Sequence, residues 1–163
     1  MNATTPARTL VSDIMCTDIA VAHPDESYET LVRRVCTATA AVLPVVDERR
    51  TVVGIVSDGD LLRRMQLPDG TDTDEHMTSA RPSTADDVRA RDLMTAPATT
   101  VHATTRTAAA ARLMLRHHLR ALPVTDTATA VLVGMLTRTT VLQAVDGPPR
   151  PPGDEQAFGL WSD

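Results

Sequence analysis

Ser57 and Asp60 bracket the stretch Ser57-Asp58-Gly59-Asp60, where the β-branched run VVGIV (residues 52–56) gives way to a helical pattern. A hydroxyl and a carboxylate at this spacing have two uses. One is a capping box: Ser57 caps the new helix, and the acid three residues on bonds back to the Ser57 backbone N–H. The other is ligand binding. Unpaired N–H groups at a helix start favour an anion such as phosphate, Ser57 adds a donor, and Asp60 can accept from both hydroxyls of a ribose. Eighty residues later GMLTRTTVL repeats GIVSDGDLL, and Thr137-Arg138-Thr139-Thr140 takes the place of the first stretch. The hydroxyl is kept at Thr137, but Thr140 replaces the carboxylate. Losing a charged acceptor costs about 1.5–3 kcal/mol, a tenfold to hundredfold loss of affinity. One element present twice, with its carboxylate present once, implies two sites of unequal chemistry.

Other reactive side chains point to less. Cys16 and Cys36 do not make a disulfide framework. A bridge between them is geometrically open, but a reducing compartment disfavours it. Cys36 lies on a helical apolar stripe and reads as a small core residue. No CxxC or HxxxH spacing is present, so no metal site is expected. His117 and His118 are adjacent and would point about 100° apart on a helix, which is poor geometry for one ion. His23 and His102 occupy equivalent places in the repeat described next, which favours a structural role. No nucleophile is paired with a base, and no glycine loop is built to cradle phosphate, so catalysis is not expected.

The elements that position these residues are themselves duplicated. Asp13-Ile14-Met15 recurs as Asp92-Leu93-Met94, His23 as His102 and Arg33 as Arg112, all at an offset of 79. LPVVD (residues 43–47) recurs as LPVTD (residues 122–126), and Gly54 recurs as Gly134 at an offset of 80. The extra residue falls in a hairpin turn, where it is easily absorbed. Each copy predicts a turn, a brief strand (near Ile19–Ala22 or Ala98–Val101), a helix, a hairpin and a closing helix. The first helix of copy one carries Tyr28, Leu31, Val32, Val35 and Cys36 at helical spacing. That of copy two carries Ala110, Ala111, Met114 and Leu115. The closing helices carry Leu61, Leu62 and Met65, or Val141, Leu142 and Val145. Pro44 and Pro123 lack an N–H and are expected at a strand start or edge.

The fold class is therefore α+β: two β-α-β-β-α repeats, packed sheet to sheet about a pseudo-twofold axis. The expected layout is an N-terminal tail (1–8), repeat one (9–66), a polar acidic linker (67–87), repeat two (88–145) and a proline-rich tail (146–163). Phe158 and Trp161 in that tail, behind PPRPP, read either as a docking segment or as a remnant. One repeat alone has too little core to be comfortable. Net charge is −5, so neither nucleic acid nor an anionic membrane is an expected partner. No apolar run is long enough to span a membrane. The first ten residues lack a signal-peptide core, so the expected location is cytoplasmic.

In order and duplication, D-I-M, H-P-D, L-P-V-V-D and V-G-I-V-S-x-x-D-L-L resemble the cystathionine β-synthase (CBS) domain, whose pairs form a Bateman module. The resemblance covers roughly residues 9–66 and 88–145. It implies a regulatory, non-catalytic sensor with no required cofactor. The ligand would be an adenosine compound (AMP, ADP, ATP or S-adenosylmethionine), bound in clefts that draw on both copies. It also implies stacking into a homodimer, with an unidentified protein partner. The alternative is a structural or interaction dimer with vestigial clefts. Family roles place ribose and phosphate at Ser57 and Asp60, and the rest of that cleft at Ala98, Thr99, Thr100, Arg120, Ala121 and Leu122. Arg120 reads as a phosphate ligand or as an ordinary exposed arginine. Asp58 departs from the family pattern, and its charge disfavours ATP more than AMP or an uncharged adenosyl compound. The second, degenerate cleft would use Ile19, Ala20, Thr137, Arg138 and Thr140, with Arg138 supplying positive charge.

Overall fold

The computed structural model describes residues 9–66 and 88–146. The acidic linker, the N-terminal tail, and the tail carrying Phe158 and Trp161 lie outside the described residues. Copy one contains α1 (Tyr28–Thr37), β1 (Val42–Val46), β2 (Val52–Ser57) and α2 (Asp58–Gln66). Copy two is preceded by a short helix, α3 (Ala90–Leu93). It contains β3 (Val101–His102), α4 (Thr107–Arg116), β4 (Ala121–Thr125), β5 (Leu132–Thr137) and α5 (Arg138–Asp146).

In each copy an antiparallel hairpin forms the centre. Leu43 pairs with Val56 in β1–β2, and Leu122 with Leu136 in β4–β5. The turn acids explain the shared LPVVD and LPVTD. Asp47 Oδ1 accepts the N–H groups of Arg49 at 2.9 Å and Thr51 at 2.8 Å. Asp126 Oδ1 accepts those of Ala128 at 2.9 Å and Thr129 at 3.0 Å, in a turn one residue longer.

The expected first strands are much reduced. In copy one only Ala22 bridges β1, at Val45; in copy two β3 has two residues, parallel to β4. The prolines account for this. Pro44 sits third in β1, opposite Ile55, rather than at its start. Its carbonyl accepts the Ala22 N–H at 2.9 Å, so its missing donor faces the first-strand segment. Pro123 likewise sits third in β4, immediately before the two residues that β3 pairs.

Helical periodicity located each stripe but not its width. Leu31 and Val35 are buried on α1, and Ala110 and Met114 on α4. Cys36 is exposed, not core, because one further residue turns it about 100° from Val35. Leu115, Leu62, Met65 and Leu142 were also expected inside but are 54–73% exposed. Both cysteines are free thiols, so the disulfide is not formed.

The lead-in segments exchange between copies. Val11, Ile14 and Met15 pack into the core of copy two, with Val101, Ala110, Leu122 and Leu136. Ala90, Leu93 and Met94 pack into the core of copy one, with Ala22, Leu31, Leu43 and Val56. Asp13 and Asp92 hold the two turns, accepting the N–H groups of Leu10 and Arg89 at 2.9 Å each. Gly54 and Gly134 are the seats. A Cβ on Gly54 would clash with Met94 Sδ and lie 2.9 Å from its Cγ; one on Gly134 would meet Met15 in the same way, also 2.9 Å from its Cγ. Beyond the seats, Thr95 bridges Ile55 in β2, and Cys16 bridges Met135 in β5.

Between the sheets, Val42, Ala121 and Met135 form a third buried cluster, flanked by Ile19, Ala40 and Ile55. Thr51 bridges Val131, its own equivalent in the other copy, which marks the pseudo-twofold axis.

Gly54→Ala is expected to cost about 1–3 kcal/mol by overpacking. Adding Met94→Ala, which empties the space, should give a double variant more stable than the sum of the single changes. Chemical denaturation of the four proteins checks this, and additivity would show that Met94 is not seated on Gly54.

Candidate functional site

The candidate side chains sit where β2 hands over to α2 and β5 to α5. At the first of these, Asp60 is 6% exposed. Its Oδ2 accepts the Ser57 N–H at 2.8 Å and the Ser57 hydroxyl at 2.7 Å. The Asp60 N–H reaches back to Ser57 Oγ at 3.4 Å. Arg63 lies 3.3 Å from the other oxygen, Oδ1. The capping box is thus formed, and both carboxylate oxygens have partners. A ribose would take over contacts that Ser57 and Arg63 now make.

At the second junction the cap survives without charge. Thr140 Oγ1 accepts the Thr137 N–H at 3.0 Å and donates to the Thr137 carbonyl at 2.9 Å. Thr140 therefore replaces the capping function of Asp60 but not its capacity to hold two ligand hydroxyls.

Asp58 and Arg120 meet across the boundary between copies, 62 positions apart, with Nη1 donating to Asp58 Oδ2 at 2.8 Å. Asp58 Oδ1 accepts the Gly59 N–H at 2.8 Å. The Arg120 carbonyl accepts the Arg138 N–H at 3.0 Å, which fixes its backbone beside the second junction. The Arg120 guanidinium holds the Asp58 carboxyl below the usual carboxylate range, against partial desolvation and with help from Gly59. Arg120 is exposed, but it is ion-paired rather than free.

The other expected residues divide. Thr95 is held against Ile55 of β2, so the segment leading to Ala98, Thr99 and Thr100 starts beside this junction. Ala98 and Thr100 are half-buried and Thr99 is exposed. Ala121 is buried in the cluster between the sheets. Leu122 is fully buried in the core of copy two. Its side chain therefore cannot face a ligand, a correction to its expected role.

A shallow pocket, open to solvent, lies beside Ile19 and Ala20. Ile19 and Ala20 line it with Cys16, Ala38, Val42 and Met135, whereas Thr137, Arg138 and Thr140, grouped with them in the sequence reading, do not. Asp18 and Thr39 also line it, and neither was anticipated. Ala38 and Thr39 are the repeat equivalents of His117 and His118, both of which are exposed. Among the described residues no cluster of three or more His, Cys, Asp or Glu is arranged to hold a metal. Among them, too, no helix is long and apolar enough to cross a membrane.

The CBS domain family model matches residues 11–67 and 90–147, both copies of the repeat. The chain belongs to the CBS domain family. It is 34% identical over 133 residues to the CBS domain-containing protein CBSX2, chloroplastic, of Arabidopsis thaliana, covering 74% of this chain and 54% of that relative. The chain thus spans about half the length of that relative. It also resembles the crystal structure of CBSX2 in complex with AMP, with a TM-score of 0.65 at 30% identity over 83% of this chain and 94% of that one. The CBS domain pair of MJ0100, solved with 5-methylthioadenosine and S-adenosyl-L-methionine, shares the fold at 21% identity. Its TM-score is 0.64, over 83% of this chain and 94% of that one. The architecture is that of a CBS pair, a Bateman module.

Because the Asp58 pKa is depressed in the fold, its ion pair contributes stability above the ordinary carboxylate pKa. That contribution is lost as pH falls through the lowered folded value. Arg120→Gln should move the Asp58 titration upward, toward the ordinary aspartate value of 3.8. Carboxyl-carbon NMR titration reads this directly, and an unmoved Asp58 would contradict the pairing.

Proposed function

We propose that the chain is a non-catalytic regulatory module of the cytoplasm that binds an adenosine-containing ligand in the cleft at Ser57 and Asp60. The observation that carries this is the meeting of two features at one boundary between copies. Copy one supplies a helix start bearing Ser57 and a buried Asp60, and copy two supplies Arg120. A relative of the same fold was solved with AMP, which supports the ligand class. No bound cofactor is required for this role. Asp60→Ala should weaken binding of the ligand at least tenfold, by about 1.5–3 kcal/mol, because a charged acceptor is lost. Calorimetry with AMP, ADP, ATP and S-adenosylmethionine checks this. It should find one site per chain, or two of very different affinity, and Thr140→Asp should strengthen the weaker one. Affinity unchanged by Asp60→Ala would remove the site.

A second reading, a dimeric interaction module with vestigial clefts, is favoured by one observation. Leu62, Met65, Leu115 and Leu142 stand exposed on α2, α4 and α5. Apolar side chains on the outer helices suit burial against a second copy, and the homodimer is part of both readings. Sedimentation at tens of micromolar, above the ~μM dissociation constants of modest interfaces, should show a dimer; a monomer there would rule the homodimer out.

A further inference from the structure

The two donors that a phosphate would use in the Asp60 cleft are already taken. A phosphate at a helix start is held by free N–H groups and by a nearby arginine. Here the Gly59 N–H, in the first turn of α2, donates to Asp58 Oδ1 at 2.8 Å, and Arg120 donates to Asp58 Oδ2 at 2.8 Å. One carboxylate thus satisfies both groups, as an incoming anion would. The Asp58 side chain is 34% exposed, so it is reached from solvent as well as from these donors. The other junction has the opposite charge. There Arg138 fills the position equivalent to Asp58 and donates from Nε to the Leu119 carbonyl at 2.7 Å.

We propose that Asp58 is a built-in anion that occupies the phosphate position of the Asp60 cleft, so that this cleft selects adenosine ligands of low charge and discriminates against polyphosphates. The inference rests on the adenosine-binding reading above and adds the charge class of the ligand. A phosphorylated ligand must displace Asp58 from Arg120 and then sit beside a freed carboxylate. An adenosine ligand without phosphate leaves the pair intact. Each added phosphate meets the same repulsion again, so selectivity grows with phosphate number. Asp58→Asn keeps the shape and a capping acceptor while removing the charge.

The experiment compares the wild-type chain, Asp58→Asn, and the double variant Asp58→Asn/Arg120→Gln. Adenosine, AMP, ATP and inorganic tripolyphosphate are titrated by calorimetry, with thermal midpoints recorded as a check on folding. Asp58→Asn should leave adenosine affinity within about twofold, tighten AMP about tenfold and tighten ATP by more. Tripolyphosphate should stabilise Asp58→Asn against heat, but neither the wild type nor the double variant. An ATP-to-adenosine affinity ratio and a tripolyphosphate response that are the same in Asp58→Asn as in wild type would overturn the proposal. The two readings separate. Adenosine binding with no dependence on residue 58 removes the charge selection alone. A tripolyphosphate response gained in Asp58→Asn and lost in the double variant, with adenosine bound by none of the proteins, sustains the charge selection and removes the adenosine site.

Discussion

Each half of this molecule is completed by a piece of the other. Met94 lies on Gly54 and Met15 on Gly134, in seats that a single Cβ would fill. Ala90 and Val11, both fully buried, follow the same exchange. The hydrophobic effect scales with apolar area removed from water, and a repeat of this size has little to spare. Neither core closes without its borrowed turn. The close approach at the glycines also brings Thr95 and Cys16 against β2 and β5, so the outer edge of each hairpin is covered rather than left to pair elsewhere.

The clefts follow from that exchange. Once a lead-in has crossed to the other copy, the segment after it runs from the opposite hairpin back to its own. Each cleft is therefore built from both copies, and pairs of equivalent positions face related but unequal surroundings. A few substitutions are then enough to separate them. Aspartate against arginine at the helix start, and aspartate against threonine three residues into the element, give one junction a paired carboxylate and the other a cation bonded to a backbone carbonyl. Both junctions keep a strand-to-helix cap, and what separates them is charge.

Much of this was legible in the sequence because it depends on short-range pattern. Repeats, hairpins, turn acids and the Ser57–Asp60 element all lie within a few residues of their partners. What was not legible depends on distance along the chain. The offset of 79 fits a turn that packs on its own copy as well as one that packs on the other, so the exchange at Met15 and Met94 left no sequence trace. Periodicity gave the direction of each helix stripe but not its width, and Cys36 and Leu115, one step past Val35 and Met114, fall outside it. Pro44 and Pro123 were recognised as poor donors. Which strand would lose the bond could be seen only once Ala22 and Val101 were in place. Asp58 and Arg120 were each weighed alone, as a repelling acid and a candidate ligand, and their pairing across the two copies changes the meaning of both.

The exchange also orders events during synthesis. A chain made from its N-terminus exposes Val11, Ile14 and Met15 before any of their partners in copy two exist. Copy one, meanwhile, waits for Ala90, Leu93 and Met94 before its own core can close. Contacts of such long sequence separation form slowly, because loop closure must precede any gain. The nascent protein therefore passes through an interval in which two half-built cores and a loose apolar turn are exposed together. In that interval a neighbouring nascent chain can supply the missing turn as well as the chain's own second half can. Intramolecular completion is favoured by the high effective concentration that covalent linkage confers, so carrying both copies on one chain bears on fidelity of assembly.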